Sequence, residues 1–478
     1  MESTHAKQPT VAERVAAGRD YRSSTPVSSH QGWAPAPGRQ DPVDLIAAQN
    51  RTRDPDLVPV RHGRMMASPL TFYRGTAKVM AADLKDVPRS GLTVQLCGDA
   101  HLSNFGIFAS PERDLVFDLN DFDETLPGPF EYDVLRMAAS FTIAGQNNGF
   151  SAEDTGAVTR AAVRSYREAM RNFAQMDTMD IWYARLAEQD IMETLRQAAD
   201  SSKGKADKKA AKHARRTAEE TARKARSRDS LQAQSKLAEE VDGTYRIISR
   251  PPVVVPLRDL EVSWGLTAEE METAIREQLR SYRATLQEDR RRLLERFEVV
   301  DVARKAVGVG SVGTRGFIVL LQGRDSGDPL FLQVKEATRS VLEDHLPKSR
   351  FRQPGARVVQ GQRMMQAASD IFLGWTRGVQ DNRYLYWRQL RDMKGSVVVE
   401  TMKPFGMELY AGICGWTLAR AHARSGDPIA ISSYLGKSEK FDNAVADFCK
   451  RYAARNEQDY AAFVQAVRSG RLRAVEGV

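Results

Sequence analysis

Cysteine is scarce in this sequence. Cys97, Cys414 and Cys449 are the only three in 478 residues. They form no Cys-x-x-Cys pair and are odd in number, which argues against a disulfide framework and fits a reducing cytoplasm. Long hydrophobic runs are missing too. No stretch approaches eighteen consecutive apolar residues, and the N-terminus shows no basic-then-apolar leader pattern. The expectation is a soluble, cytoplasmic protein with no membrane partner. Finally, most of the chain has no excess charge of either sign. The formal net charge is +8 and the pI near 9.3, but residues 203–228 hold eleven Lys or Arg against three Asp or Glu. That one segment accounts for the whole imbalance, and the remaining residues sum to zero.

What is present is a 42% apolar composition, enough for one large core or two to three smaller ones. The most informative stretch is Cys97-Gly-Asp-Ala-His-Leu-Ser-Asn-Phe-Gly106, followed by Leu115-Val-Phe-Asp-Leu-Asn-Asp-Phe-Asp123. Apolar runs over 92–96 and 115–119 predict strand, loop, strand, with carboxylates at the loop. A carboxylate and a carboxamide five residues apart, Asp99 and Asn104, can address one substrate oxygen and one metal ion together. Phosphoryl transfer needs such a set: an Asp takes the acceptor's hydroxyl proton, and an Asn with a further Asp holds Mg²⁺ against phosphate oxygens. Asp121 offers that second carboxylate, and Asp123 stands ready to assist it. The plainer alternative is a hairpin whose Asp and Asn residues only make turns. His101 reads as a loop-holding side chain, since no Cys or His sits at metal-ligand spacing. Cys97 has no chemical role on this reading.

A second constellation lies at Val307-Gly-Val-Gly-Ser-Val-Gly-Thr-Arg-Gly316. A dinucleotide-binding fingerprint of this form runs into a helix, whereas residues 317–321, Phe-Ile-Val-Leu-Leu, predict a strand. Gly308, Gly310 and Gly313 would let backbone amides approach phosphates, with Ser311 at the tip. Lys335 follows at the end of the next predicted strand, where it grips phosphates or simply points to water. A helix over 356–369 carries Gln360, Gln362 and Gln366 and no glutamate. Glu336 falls on the opposite strand face from Lys335, so the lysine has only Glu343 as a poor candidate partner. Strands over 371–375 and 384–387 and a buried helix over 408–423 complete this half.

The acidic stretch resembles the catalytic loop and metal-binding strand of the protein-kinase-like superfamily, most closely its aminoglycoside phosphotransferase branch. The resemblance implies that Asp133 opens the next helix and braces the catalytic loop, and it favours Asp121 over Asp118 as metal ligand. It also implies that the glycine loop covers the phosphates, that Lys335 holds the α- and β-phosphates, and that 371–387 leads into a hinge. In ordinary kinases the glycine loop and lysine precede the catalytic loop. Here they follow it, which implies a circular permutation. Arg61-His-Gly-Arg-Met, Phe72-Tyr-Arg-Gly and Ala419-Arg-Ala-His-Ala-Arg-Ser-Gly-Asp427 add a resemblance to the bacterial domain-of-unknown-function family numbered 2252, over roughly residues 40 to 465.

The expected fold class is therefore α+β: a two-lobed, protein-kinase-like fold in permuted order. Residues 1–45 read as a mobile or draped arm, and 46–200 carry the catalytic loop, the metal-binding strand and helices. Residues 201–245 are a basic insertion with almost no apolar face, 246–298 connecting helices, 299–400 the nucleotide-binding β lobe and 401–478 further helices. Arg64 and Arg74 are placed to reach a phosphate or, equally, to brace a carboxylate. The expected activity is ATP- and Mg²⁺-dependent transfer of a phosphoryl group to a hydroxyl of a small-molecule acceptor. Two alternatives remain open. The same site can move a nucleotidyl group or bind nucleotide without turnover, or the protein works on nucleic acid through 203–228, against which the lack of interleaved aromatics counts.

Overall fold

The computed structural model describes residues 8–201, 204–259, 267–305, 312–378, 383–390 and 392–477. The chain is α+β. Its largest sheet has six strands, in the order Gly374–Arg377, Tyr384–Gln389, Pro329–Ala337, Gly316–Gln322, Glu298–Lys305, Val254–Pro256. All neighbours pair antiparallel. Pro329–Ala337 is buried along its whole length because both faces are covered. Leu330, Leu332 and Val334 pack with Leu279, Tyr282 and Leu286 on one side, while Phe331 packs with Leu237 and Ile247 on the other. This period-two alternation puts Gln333 and Lys335 on the face of Phe331.

The second and larger core is helical. Helix Phe130–Asn147 is buried on nearly all sides, and helices Ala152–Phe173, Pro404–Ala423 and Lys440–Arg468 close around it. The tightest crossing is at Gly415, where an added Cβ would sit 2.2 Å from the Ala162 carbonyl oxygen. The acidic stretch lies between this core and the sheet. Strand Thr93–Leu96 pairs with Leu126–Pro129, and Phe105–Ala109 pairs with Leu115–Leu119.

Several boundaries depart from the sequence reading. Where an arm is expected over 1–45, residues Val11–Ser24 form a helix with a Thr10/Glu13 capping box. It is tied to the body by Arg22, whose guanidinium donates to the carbonyls of Ser433 (2.7 Å) and Tyr434. The helix expected over 356–369 is Pro354–Met365. It stops early because the Gln366 amide nitrogen donates to Leu119 O (2.6 Å) and the Ala367 amide to Asp118 (2.9 Å), turning the chain onto strand Leu115–Leu119. In the basic segment, helix Lys205–Arg226 does have an apolar face. It is built of alanine: Ala211, Ala222 and Ala225 are buried, and Ala214 and Ala218 pack beside them. Its arginines pair within the helix, Arg215 with Glu219 at 3.3 Å and Arg216 with Glu220 at 3.2 Å. Among the described residues no helix is long and apolar enough to cross a membrane.

Candidate active site

The loop after Thr93–Leu96 is held from three directions. Asp133, in the first turn of helix Phe130–Asn147, accepts the amides of Cys97 (2.7 Å) and Gly98 (3.0 Å), the bracing expected of it. Gly98 adopts φ +85°, and any Cβ there would lie 2.2 Å from the Glu124 carbonyl oxygen, so only glycine fits. Asn104 then donates from Nδ2 to the Asp99 carbonyl (2.8 Å), which closes the loop and leaves its Oδ1 as an oxygen donor. His101 Nδ1 accepts the Ser103 amide (3.2 Å). Burial, with Arg74 and Arg136 nearby, keeps this imidazole well below its ordinary pKa and so neutral. It holds the loop, as its sequence setting suggests.

Asp99 lies at the mouth of this loop. Its Oδ1 accepts Arg136 Nε (2.7 Å), and its Oδ2 stands 3.8 Å from His101 Nε2. Burial raises the carboxyl's pKa, and Arg136 pulls it down without cancelling the rise. Arg136 is a residue the sequence reading missed. A lone charge amid Val134, Leu135, Met137 and Ala138 was the available signal.

Two aspartates in and after strand Leu115–Leu119 separate clearly. Asp118 is buried, ion-paired to Arg420 and bonded to the Ala367 amide, so it is committed to packing. Asp121 is not: its side chain is 29% exposed and one oxygen lies 3.7 Å from Lys335 Nζ. Lys335 reaches Asp123 more closely, at 2.6 Å, and the Tyr386 hydroxyl donates to the other Asp123 oxygen at 2.6 Å. Asp123, expected to assist the metal, thus serves as the counter-ion that the lysine lacks on its neighbouring helix. Burial opposes charge on both partners. For Lys335, Asp121 and Asp123 outweigh that penalty and hold the ammonium above its usual pKa; for Asp123, Lys335 outweighs it and holds the carboxyl below its own. Glu336 does face the other way, bonded to Arg383 (2.7 Å), and Glu343 accepts the Ser340 amide.

Gly308, Gly310 and Ser311 lie outside the described residues. Gly313 lies within them, at φ +87°. It is clasped by the segment after helix Pro42–Asn50: Arg53 Nη1 donates to Val312 O (2.5 Å) and the Asp54 amide donates to Gly313 O (2.7 Å). Gly316 opens the next strand directly opposite Lys335, and Lys335 is opposite Tyr386. One row across the sheet therefore brings the end of the glycine segment, the lysine and the tyrosine together above Asp121 and Asp123.

Two cavities meet at Asp121, the one described residue that lines both. The larger, about 460 Å³, is lined by Asp99, Asn104 and His101 together with Arg53 and Arg74. The smaller, about 290 Å³, contains Lys335 together with Gln389, Leu390 and Asp392 from the segment expected to form a hinge. Lys394 also lines it, and burial followed by repulsion from Arg388 lowers that ammonium to about 7. The oxygen donors left for a hard cation are Asn104 Oδ1 and the Asp121 carboxylate. Among the described residues no group of three or more His, Cys, Asp or Glu is arranged to hold a metal. Magnesium held between one or two protein oxygens and substrate phosphates requires none.

The chain belongs to the family described as "Uncharacterized protein conserved in bacteria (DUF2252)", which matches residues 53–466. No curated protein and no solved structure matches it.

Proposed function

We propose that this protein is an ATP- and Mg²⁺-dependent phosphotransferase with a permuted kinase-like fold, moving the γ-phosphoryl group to a hydroxyl of a small molecule. The observation that carries the reading is the meeting of two remote segments. Lys335, from the strand after the glycine segment, stands 3.7 Å from Asp121, which lines both a cavity holding Asp99 and Asn104 and one bordered by Gln389 and Leu390. The order of elements supports it as well: glycine turn, strand, lysine strand, helix Pro354–Met365, two strands, then the buried helix Pro404–Ala423.

In this reading the nucleotide occupies the smaller cavity and the acceptor the larger. Lys335 and the glycine-segment amides hold the phosphates. Asn104 and Asp121 hold Mg²⁺, which when bound neutralises charge developing on the phosphate oxygens. Asp99 accepts the acceptor's hydroxyl proton, and Arg136 fixes the direction of its carboxylate. Phosphoryl transfer asks little covalent chemistry of the protein, so a lysine and a loop already held by buried partners suit it.

Thermal unfolding with ATP or GTP, with and without Mg²⁺, tests the reading. A metal-dependent rise in Tm is expected, worth about 2.7 kcal/mol at a hundredfold excess over Kd, and Asp121→Asn should remove the metal-dependent part. Asp99→Asn should keep that rise and lower turnover by about 10²- to 10⁴-fold. Absence of any nucleotide-induced shift would sink the proposal. The mass gained by an acceptor, one phosphate or one nucleotide, separates phosphoryl from nucleotidyl transfer.

A further inference from the structure

The larger cavity carries charge that the reaction outlined above does not use. Its carboxylates other than Asp121 already have partners: Asp99 has Arg136, Asp123 has Lys335, Glu336 has Arg383, and Asp344 has Lys78 at 2.8 Å. Glu124 accepts the Val341 amide at 2.7 Å. Two arginines on the wall are left short. Arg74, at the end of helix Pro69–Arg74, makes no hydrogen bond or ion pair with any described residue, and its Nε is sealed from solvent. Arg53 is 9% exposed, donates once to Val312 O and also buries its Nε without a partner. Burial lowers the pKa of both guanidinium groups, that of Arg53 to about 10, and outweighs the carboxylates that act on them, Glu124, Asp123 and Glu336 on Arg53 and Glu400 and Asp99 on Arg74.

A guanidinium withdrawn from water without an anion is costly. Both arginines line the same cavity, and guanidinium groups suit a carboxylate or phosphate. Gln49, Thr52 and Ser340 add amide and hydroxyl groups, and among the described residues no Phe, Tyr or Trp lines the space, so it offers nothing to stack on an aromatic or to bury an apolar acceptor.

We infer that Arg74 and Arg53 grip an anionic oxygen group, a phosphate or carboxylate, carried by the same small hydroxylated molecule that presents its hydroxyl to Asp99. The inference rests on the phosphotransferase reading for the role of Asp99, and the arginine pair can be tested apart from it. The same oxygen chemistry has a second source, the terminal phosphate of the nucleotide, and the experiment separates the two.

Full-length protein is titrated calorimetrically with inorganic phosphate, glycerol 3-phosphate, uncharged glycerol and Mg·ATP. Wild type is expected to bind both phosphates and not glycerol. Arg74→Ala should weaken glycerol 3-phosphate by roughly tenfold or more with Mg·ATP affinity unchanged, and Arg74→Lys should restore part of the loss. The ligand-free Tm of Arg74→Ala should not fall, since the deleted charge has no partner. The inference is overturned if wild type binds neither phosphate, if Arg74→Ala binds them as wild type does, or if Mg·ATP weakens in parallel, which would give the arginine to the nucleotide. Arginine-dependent phosphate binding in a protein that ignores Mg·ATP would uphold the anion site and remove the phosphotransferase reading instead.

Discussion

Glu131 illustrates how strongly single buried groups are tuned in this chain. It is 1% exposed, its Oε1 accepts the Ser90 amide at 2.7 Å, and its Oε2 has no partner. Burial raises its pKa from 4.5 to about 7, against the lowering effect of Ser90. Between those two values the folded state keeps a proton that the unfolded chain has lost, so this residue's contribution to stability falls as pH rises through the window. Glu131→Gln retains the acceptor and cannot ionise. Urea unfolding should show the variant matching wild type near pH 4.5 and exceeding it by up to about 3 kcal/mol at pH 8. A difference that does not change with pH would contradict the assignment. At this scale the grouping of Asp99, Asn104 and Asp121 around one cavity, with Asp133 holding the loop, was legible in sequence because these residues sit at short, fixed spacings. Their partners were not. Arg136 could be suspected from its apolar surroundings, whereas nothing local announces that Lys335 will find Asp123 across 212 residues.

At the scale of elements, strong periodicity was readable and weak periodicity was not. The strands Leu115–Leu119 and Gly316–Gln322 and the helix Pro404–Ala423 fall where apolar runs place them. The helix Val11–Ser24 escaped because it is bound through Arg22 and Ser433, polar contacts that leave no hydrophobic stripe. Lys205–Arg226 looked faceless because alanine is easily discounted as an apolar residue. Glycine content was also ambiguous within one helix, and the packing resolves it. Gly415 abuts the backbone of Ala162, whereas nothing lies within 4 Å of a Cβ at Gly412. Gly415→Ala is expected to lower stability by about 1–3 kcal/mol through overpacking. Gly412→Ala should raise it by about 0.5–1 kcal/mol through helix propensity. Denaturant midpoints for the pair check this, and equal effects at the two positions would show that the helices do not cross at Gly415.

For the whole molecule, the charge imbalance has a structural address. The basic helix lies over the alanine seam, with Arg226 paired to Glu188 and two further arginines paired within the helix. Replacing Lys208, Lys209 and Lys212 together by Gln is expected to leave retention on immobilised RNA or DNA unchanged. If those lysines neutralised phosphates, the salt dependence of binding would flatten in the variant, by about one unit of slope for each lysine so engaged.

Two acids of the first half find their cations late in the chain: Asp123 waits for Lys335 and Asp118 for Arg420. During synthesis the strand and loop bearing these acids leave the ribosome hundreds of residues before the groups that neutralise them. Sealing them dry at that moment is prohibitive, so the nascent first half stays hydrated and open until the C-terminal helices arrive. Translation that halts early is therefore expected to leave this strand and loop hydrated and unpacked.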